Sequence, residues 1–418
     1  MPVRVAIETL GCKLNQAESE SIASQFVSAG CHVVKRGEKA DVYILNSCTV
    51  THIAESKSRH LLRVARRLNP DALVVATGCY GLLSGPGKLE EIDLVVPNTD
   101  KSRLVEIVSR RISLESASAG FDEYPRTRAF IKVQDGCNRR CSYCIVPLVR
   151  GPEKSVSPDG IINEIQALTD SGCKEFVLTG TEIGSYRADG LDFESLLRRV
   201  LAETTAPRMR ISSLQPHELT TGLLSLWNNP RLCPHFHISL QSGSNGVLVL
   251  MKRGYSTADY SSTLTAVRNV LPDVAVTTDI IVGFPGETED EFGETLDYCT
   301  NAGFARIHVF PFSARPGTVA ESMPGQVTAK VKKERKSRLA AAGEKSALNF
   351  RANKIGKVSE VLWEHTACVG EYSGYTPDYI RVYTRFPEYL TNTTTPTRLV
   401  KTHREGLWGE VIDSEEKK

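Results

Sequence analysis

Hydrophobic and polar positions divide the chain into three stretches with different rhythms. In the first, short apolar runs alternate with helix-length segments. Residues 3–9, 41–46, 72–77 and 93–96 predict strands, and residues 15–28 and 54–68 predict helices. Strands separated by helices argue for a parallel, doubly wound sheet. The small polar run SLESASAG, residues 113–120, predicts a linker. The second stretch repeats the same grammar six times. Its strands are predicted at 129–134, 175–179, 209–213, 235–241, 274–283 and 305–312, with helices such as 160–171, 193–203 and 289–302. Six βα units predict an incompletely closed parallel barrel, with an open doubly wound sheet as the alternative that periodicity alone leaves open. The third stretch follows a basic segment at 326–357. There VSEVLWE, TACVGEY, YIRVYTR and LWGEVID predict closely spaced short strands and a small β-barrel, ending in a frayed DSEEKK.

Length and charge narrow the function. A chain of 418 residues fits two to four domains. With 51 Lys+Arg against 49 Asp+Glu the net charge is +2, which excludes a globally basic nucleic-acid binder. Any RNA contact must be a local patch. Candidates are the segment 326–357, with ten Lys/Arg against Glu334 and Glu344, and the helix bearing Lys57, Arg59, Arg63, Arg66 and Arg67. No apolar run approaches membrane-spanning length, and the opening MPVRVAIETLGC has no signal pattern. Eleven cysteines, an odd number spread along the chain, predict a cytoplasmic, reducing setting with some thiolates reserved for metal.

The densest chemistry is Cys137-Asn-Arg-Arg-Cys141-Ser-Tyr-Cys144. Three thiolates within eight residues can wrap three corners of a cubane iron–sulfur cluster, which normally takes four cysteines. With no fourth cysteine nearby, one iron is left open to a small molecule, as catalytic zinc sites keep an open position. A partial zinc site is the alternative, but no second CxxC or histidine partner accompanies the motif. A second set is positional: Cys12, Cys48 and Cys79 each follow a predicted strand of the first sheet, and Gly11 and Gly78 precede two of them. Strand carboxyl ends share one edge in such sheets, so the three can converge on a ligand. Equally, free cysteines are often buried as small hydrophobes, and that reading suits Cys31, Cys173, Cys233, Cys299 and Cys368. The ends of the barrel strands carry Gly180, Thr181, Glu182, Ser213, Gln241, Asp279 and Ser313, polar or glycine positions on the face where barrel sites lie.

Together with GCNRRCSYCIVPLVRG, VLTGTEIGSY, RISSLQP, HISLQSGSN, TTDIIVGFPGETEDEF and HVFPFSARPGT, these residues resemble the radical S-adenosylmethionine methylthiotransferase family over nearly the whole chain. The resemblance implies an N-terminal methylthiotransferase domain (1–118), a radical S-adenosylmethionine core (123–348) and a TRAM-like RNA-binding β domain (349–414). It implies two [4Fe–4S] clusters, one on Cys137, Cys141 and Cys144 and one on Cys12, Cys48 and Cys79. S-adenosylmethionine would be consumed twice per turnover, and an electron donor such as flavodoxin or ferredoxin would be needed. The substrate implied is the anticodon stem-loop of tRNA. Gly11-Cys12-Lys13-Leu14-Asn15 is similar to the form found in enzymes acting on N6-threonylcarbamoyladenosine at position 37. Isopentenyladenosine tRNA, a ribosomal protein, and a noncatalytic iron–sulfur RNA-binding role are the alternatives. Two positions depart from the family pattern, Val156 for a cation and Gln215 for an anion, and their joint loss is explained if the two would have paired.

Overall fold

The computed structural model describes residues 2–35, 37–79, 90–113, 127–364 and 370–412. The first unit is a five-stranded, all-parallel sheet. Its strands are β1 (Arg4–Thr9), β2 (His32–Val34), β3 (Val42–Ser47), β4 (Leu73–Gly78) and β5 (Leu94–Val95), in the order β2-β1-β3-β4-β5. Helices α1 (Lys13–Ser28), α2 (His52–Leu68) and α3 (Leu104–Ser109) cover it. Alternate residues go to opposite faces, as the two-residue strand period requires. Tyr43, Leu45, Val74 and Ala76 pack with Leu61 and Leu62 of α2, whereas Val42, Ile44 and Val75 pack with Ile22 and Phe26 of α1. The sheet is doubly wound as expected. The short β2 was not legible, because three residues carry too little periodicity.

The second unit contains six parallel strands, β6 (Arg128–Lys132), β9 (Glu175–Thr179), β12 (Arg208–Ile211), β13 (His235–His237), β14 (Ala275–Val282) and β15 (Arg306–Pro311). The hairpins β7 (Gln134–Asp135) with β8 (Lys154–Ser155), and β10 (Arg187–Ala188) with β11 (Leu191–Asp192), are inserted between them. Two three-stranded sheets are joined by isolated parallel bridges from Met209 to Leu232 and from Leu214 to Ile238. The spatial order therefore follows the chain order without reversal, which is barrel topology and not a doubly wound sheet. Helices α4 (Val146–Arg150), α5 (Pro158–Asp170), α6 (Phe193–Glu203), α7 (Thr221–Ser225), α8 (Asn245–Leu250), α9 (Thr257–Val270) and α10 (Glu289–Asn301) connect the strands. Phe176, Leu178, Met209, Ile211, Phe236, Ile238 and Ile280 face the helices in one apolar core. The alternate residues, including Arg128, Glu175, Arg210, His237 and Asp279, are left to line the chamber.

An incompletely closed barrel has two edges to protect. Helix α1 of the first unit packs along β6, and α11 (Ala329–Ala352) packs along β15. The basic segment is thus a 24-residue helix, started by Thr328 accepting the Val331 N–H. The third unit is a closed barrel, β16-β17-β18-β20-β19, made of β16 (Val358–Glu364), β17 (Glu371–Tyr375), β18 (Arg381–Arg385), β19 (Thr394–His403) and β20 (Gly406–Val411). Its core holds Trp363, Val382, Leu399 and Leu407. The predicted linker beyond Ser113 and the frayed end lie outside the described residues, as does Cys368. No described helix is long and apolar enough to cross a membrane.

Candidate active site

Cys137 begins a loop after β7. Gly136 precedes it at φ +71°, and a Cβ there would fall 2.1 Å from the Pro152 carbonyl oxygen, so the turn requires glycine. The Cys137 N–H donates to Gly151 O (3.2 Å), and the Cys144 N–H donates to Cys141 O (3.2 Å). The Cys137 thiol donates to Glu182 (3.0 Å), and Arg253 donates to Cys141 Sγ and Tyr143 Oη, each at 3.3 Å. Burial pushes the Cys144 thiol up to about 11, with Cys141 adding to the effect. Burial, then Glu182, pushes Cys137 well above its ordinary value. Burial that raises Cys137 and Cys144 means that a bound cation is needed to hold them as thiolates, and Cys141 lies on the same short loop. That donor set fits an iron–sulfur cluster.

Cys12, Cys48 and Cys79 follow β1, β3 and β4, which are adjacent in the sheet. Their strand ends come together: a Cβ on Gly11 (φ +123°) would lie 2.9 Å from Cys48 Cβ, and one on Gly78 (φ +86°) would lie 2.4 Å from Ser47 O. Burial pushes Cys48 up to about 11, and Cys79 and Cys12 both contribute. Burial also raises Cys79, with Arg150 opposing it. This second group of thiols fits the same kind of metal centre by the same argument.

The two cysteine groups share a seam. Cys79 packs on Ile145 and Val149, the residues that follow Cys144. Beneath them Arg150, 7% exposed, donates to Asn15 (2.5 Å), Glu18 (3.0 Å) and Asp135 (2.8 Å). Glu18 also receives Lys101 (2.6 Å) and Lys132 (2.9 Å). Burial alone would raise the Glu18 carboxyl, but Lys101, Arg150 and Lys132 outweigh it and hold Glu18 well below the usual carboxylate range. Across the mouth, Arg315 pairs with Glu55 (2.8 Å), and the His52 N–H donates to Ser313 Oγ (3.2 Å). Ser313 therefore meets α2 at the seam.

On the other strand ends, the Thr181 and Glu182 N–H groups donate to Gln134 Oε1 (3.0 and 2.9 Å), and a Cβ on Gly180 would lie 2.8 Å from Gln134 O. Gln134 was missed in the sequence because nothing marks it apart from its strand. Thr181 Oγ1 and Ser212 Oγ are buried without a partner among the described residues, and Ser213 beside them is half-buried. Gln241 is held at φ +69°, and Asp279 accepts from His237 (3.1 Å). Burial would raise Asp279, and the His237 hydrogen bond lowers it. Glu153, His217 and Glu218 add oxygen and nitrogen atoms beside Cys137 and Glu182. Arg139 reaches both Glu182 and His217.

Gln215 is not matched with Val156. It accepts from Arg253, whereas Val156 packs on the barrel's apolar core. The joint loss of charge at the two positions therefore has no pairing explanation in this structure.

Lys13 enters the chamber from α1. Its Nζ lies 5.5 Å from the centroid of the Tyr379 ring, which belongs to the third unit. Burial, Arg210 and Arg128 push it down to about 8. Tyr379 also covers Arg210, at 4.1 Å. Arg208 and Arg210 donate to the Tyr375 (2.9 Å) and Pro377 (3.0 Å) carbonyls, closing the chamber floor with the β17–β18 turn. Of the basic candidates, Arg59, Arg63 and Arg66 are paired with Glu55, Glu91 and Asp93, and Arg335 and Arg338 with Glu287 and Glu289. Lys330, Lys333, Lys336 and Lys345 remain exposed.

Comparison with known proteins agrees with this architecture. Residues 131–299 match the radical SAM superfamily, and residues 4–96 match uncharacterized protein family UPF0004. That superfamily implies a [4Fe–4S] cluster and S-adenosylmethionine. A radical S-adenosylmethionine methyltransferase from Kitasatospora setae, solved with tryptophan and an aza analogue of S-adenosylmethionine, shares the fold. Its TM-score is 0.55 at 15% identity, over 73% of this chain and 72% of that one. The threonylcarbamoyladenosine tRNA methylthiotransferase MtaB of Bacillus subtilis is 35% identical over 98% of this chain and 97% of its own length. The protein of that name from Aquifex aeolicus is 37% identical, over 86% and 92%. A tRNA-2-methylthio-N(6)-dimethylallyladenosine synthase from Moorella thermoacetica is 35% identical, over 97% and 98%. With relatives matched at this identity from end to end, the chain belongs to the radical S-adenosylmethionine methylthiotransferase family.

Proposed function

We propose that this chain adds a methylthio group to C2 of N6-threonylcarbamoyladenosine at position 37 of tRNA. The observation that carries the reading is the juxtaposition of two cysteine groups across one seam, with Cys79 against the residues that follow Cys144. The names of the Bacillus and Aquifex relatives support the substrate. The C2–H bond of adenine is too weakly acidic for a positioned general base, which contributes only about 10²–10⁴-fold. When bound, the two iron–sulfur clusters and S-adenosylmethionine would supply the radical and the sulfur that protein side chains lack.

The chain's own residues hold and surround those groups. Cys137, Cys141 and Cys144 are the ligands of one cluster, and Cys12, Cys48 and Cys79 are those of the other. Thr181 and Ser212, whose buried hydroxyls have no partner among the described residues, are suited to hydrogen-bond the cosubstrate, with Gly180, Glu182, Ser213, Gln241 and Asp279 around them. Ser313 belongs to the seam that keeps the two units in register. Domains 1–118, 123–348 and 349–414 act as sulfur-bearing, radical-generating and RNA-binding units, in the cytoplasm, with flavodoxin or ferredoxin as reductant.

Mass spectrometry of tRNA nucleosides from cells with and without this chain tests the reading. Loss of the methylthio derivative of threonylcarbamoyladenosine is expected on deletion. Loss of the isopentenyladenosine derivative instead would replace this substrate with that of the Moorella relative.

A further inference from the structure

Charges inside the barrel chamber do not balance. Glu175, fully buried, meets Arg128 (2.6 Å), Arg208 (3.1 Å) and Arg210 (3.1 Å). Arg128 also meets Glu364 (3.1 Å), and Asp279 meets His237 (3.1 Å). Lys13 makes the fourth cation facing these three carboxylates, and each carboxylate is already engaged by another group. Among the described residues the Lys13 ammonium has neither an ion-pair nor a hydrogen-bond partner, and it faces the Tyr379 ring. An ammonium drawn into a protein interior without an anion is costly. The tolerated arrangement is one in which a ligand brings the missing negative charge.

We infer that Lys13 is the anchor for a carboxylate carried on the N6 substituent of the substrate adenosine, an inference that rests on the substrate reading above. A threonylcarbamoyl group ends in a free carboxylate, which the ammonium can meet with a charge-assisted hydrogen bond. An isopentenyl group carries no charge and would leave Lys13 desolvated and unpaired. The same side chain thus favours one substrate and penalises the other. Arg128 and Arg210 stand behind Lys13 and add to the positive potential; both are already ion-paired with Glu175, and Arg128 keeps one buried N–H, on Nη2, without a partner among the described residues, so it can second Lys13 in holding the anion. S-adenosylmethionine also carries a carboxylate. The floor around Tyr379 belongs to the amino ends of β6 and β9, however, whereas the Cys137–Cys144 loop and the Thr181 and Ser212 hydroxyls lie beyond their carboxyl ends and that of β12.

The test uses the full chain and three synthetic anticodon stem-loop RNAs of one sequence. At the target position these carry threonylcarbamoyladenosine, its methyl ester, or plain adenosine. Wild-type protein should bind the free acid about ten- to a hundredfold more tightly than the ester, the range of a hydrogen bond to a charged group. Lys13→Met should erase that preference, and Lys13→Arg should keep most of it, which separates loss of charge from misfolding. Equal binding of acid and ester by the wild type, or a Lys13→Met protein that still prefers the acid, overturns the inference. So does a Lys13→Met protein that keeps its RNA preference and instead weakens for S-adenosylmethionine in equilibrium dialysis. Failure of the substrate reading itself is seen separately, as wild-type chain that never methylthiolates threonylcarbamoyladenosine in tRNA.

Discussion

Glu18 shows how much of the seam depends on one side chain. It is 5% exposed and gathers Lys101, Lys132 and Arg150 from three separate segments. Its folded pKa is depressed, so its contribution to stability is complete above its ordinary value near 4.5 and is lost as the pH falls through the folded value. Glu18→Gln would leave three cations around a neutral group. The expected loss is about 3–5 kcal/mol at pH 7, shrinking toward acid pH, measured by urea unfolding at several pH values. Cys79 belongs to the same scale. Cys79→Ala should leave cleavage of S-adenosylmethionine to deoxyadenosine intact but abolish methylthio product, both read by chromatography. Methylthio product at the wild-type rate would remove Cys79 from the sulfur-carrying role.

Elements fix where such residues point. Gly78 ends β4 at φ +86° with Ser47 O in the place a Cβ would need, so Gly78→Val must displace the Cys79 turn. Iron bound per chain after anaerobic reconstitution should fall by about half, the Cys137 centre being retained. On the far side of the barrel, α11 protects the β15 edge through Leu339, which is fully buried. Leu339→Ala should cost about 2–5 kcal/mol, measured by denaturant unfolding, because a cavity opens in the core and not at the surface.

For the whole molecule, a net charge of +2 confines any RNA contact to local patches. Lys330, Lys333, Lys336 and Lys345 on α11 are exposed and, among the described residues, have no ion-pair partner, unlike the exposed Arg338 and Lys357 of the same segment. If all four meet phosphates, the logarithm of tRNA affinity should fall against the logarithm of salt with a slope of about −3 to −4. Replacing Lys333 with Ala should make that slope shallower by about one. Filter binding across a salt series measures both, and a slope unchanged in the lysine variants would move the RNA path elsewhere.

Much of this was legible without coordinates. Alternating strands and helices predicted the sheet and the barrel because burial on both faces leaves continuous apolar runs in β3 and β4. The spacing of Cys137, Cys141 and Cys144 marked their chemistry because all three lie on one short loop. Local sequence could place Cys12, Cys48 and Cys79 only at the ends of three strands; the strand order β1-β3-β4 decided that these ends are neighbours. Arg253, Gln134 and Glu18 carried no local signal, since each acts on residues dozens of positions away. The same holds for the chamber: that Lys13 from the first unit and Tyr379 from the third meet inside the second depends on how the three units pack against one another. Sequence determines which groups are available and how each segment folds. Packing alone decides which charges find partners and which, like Lys13, are left for a ligand.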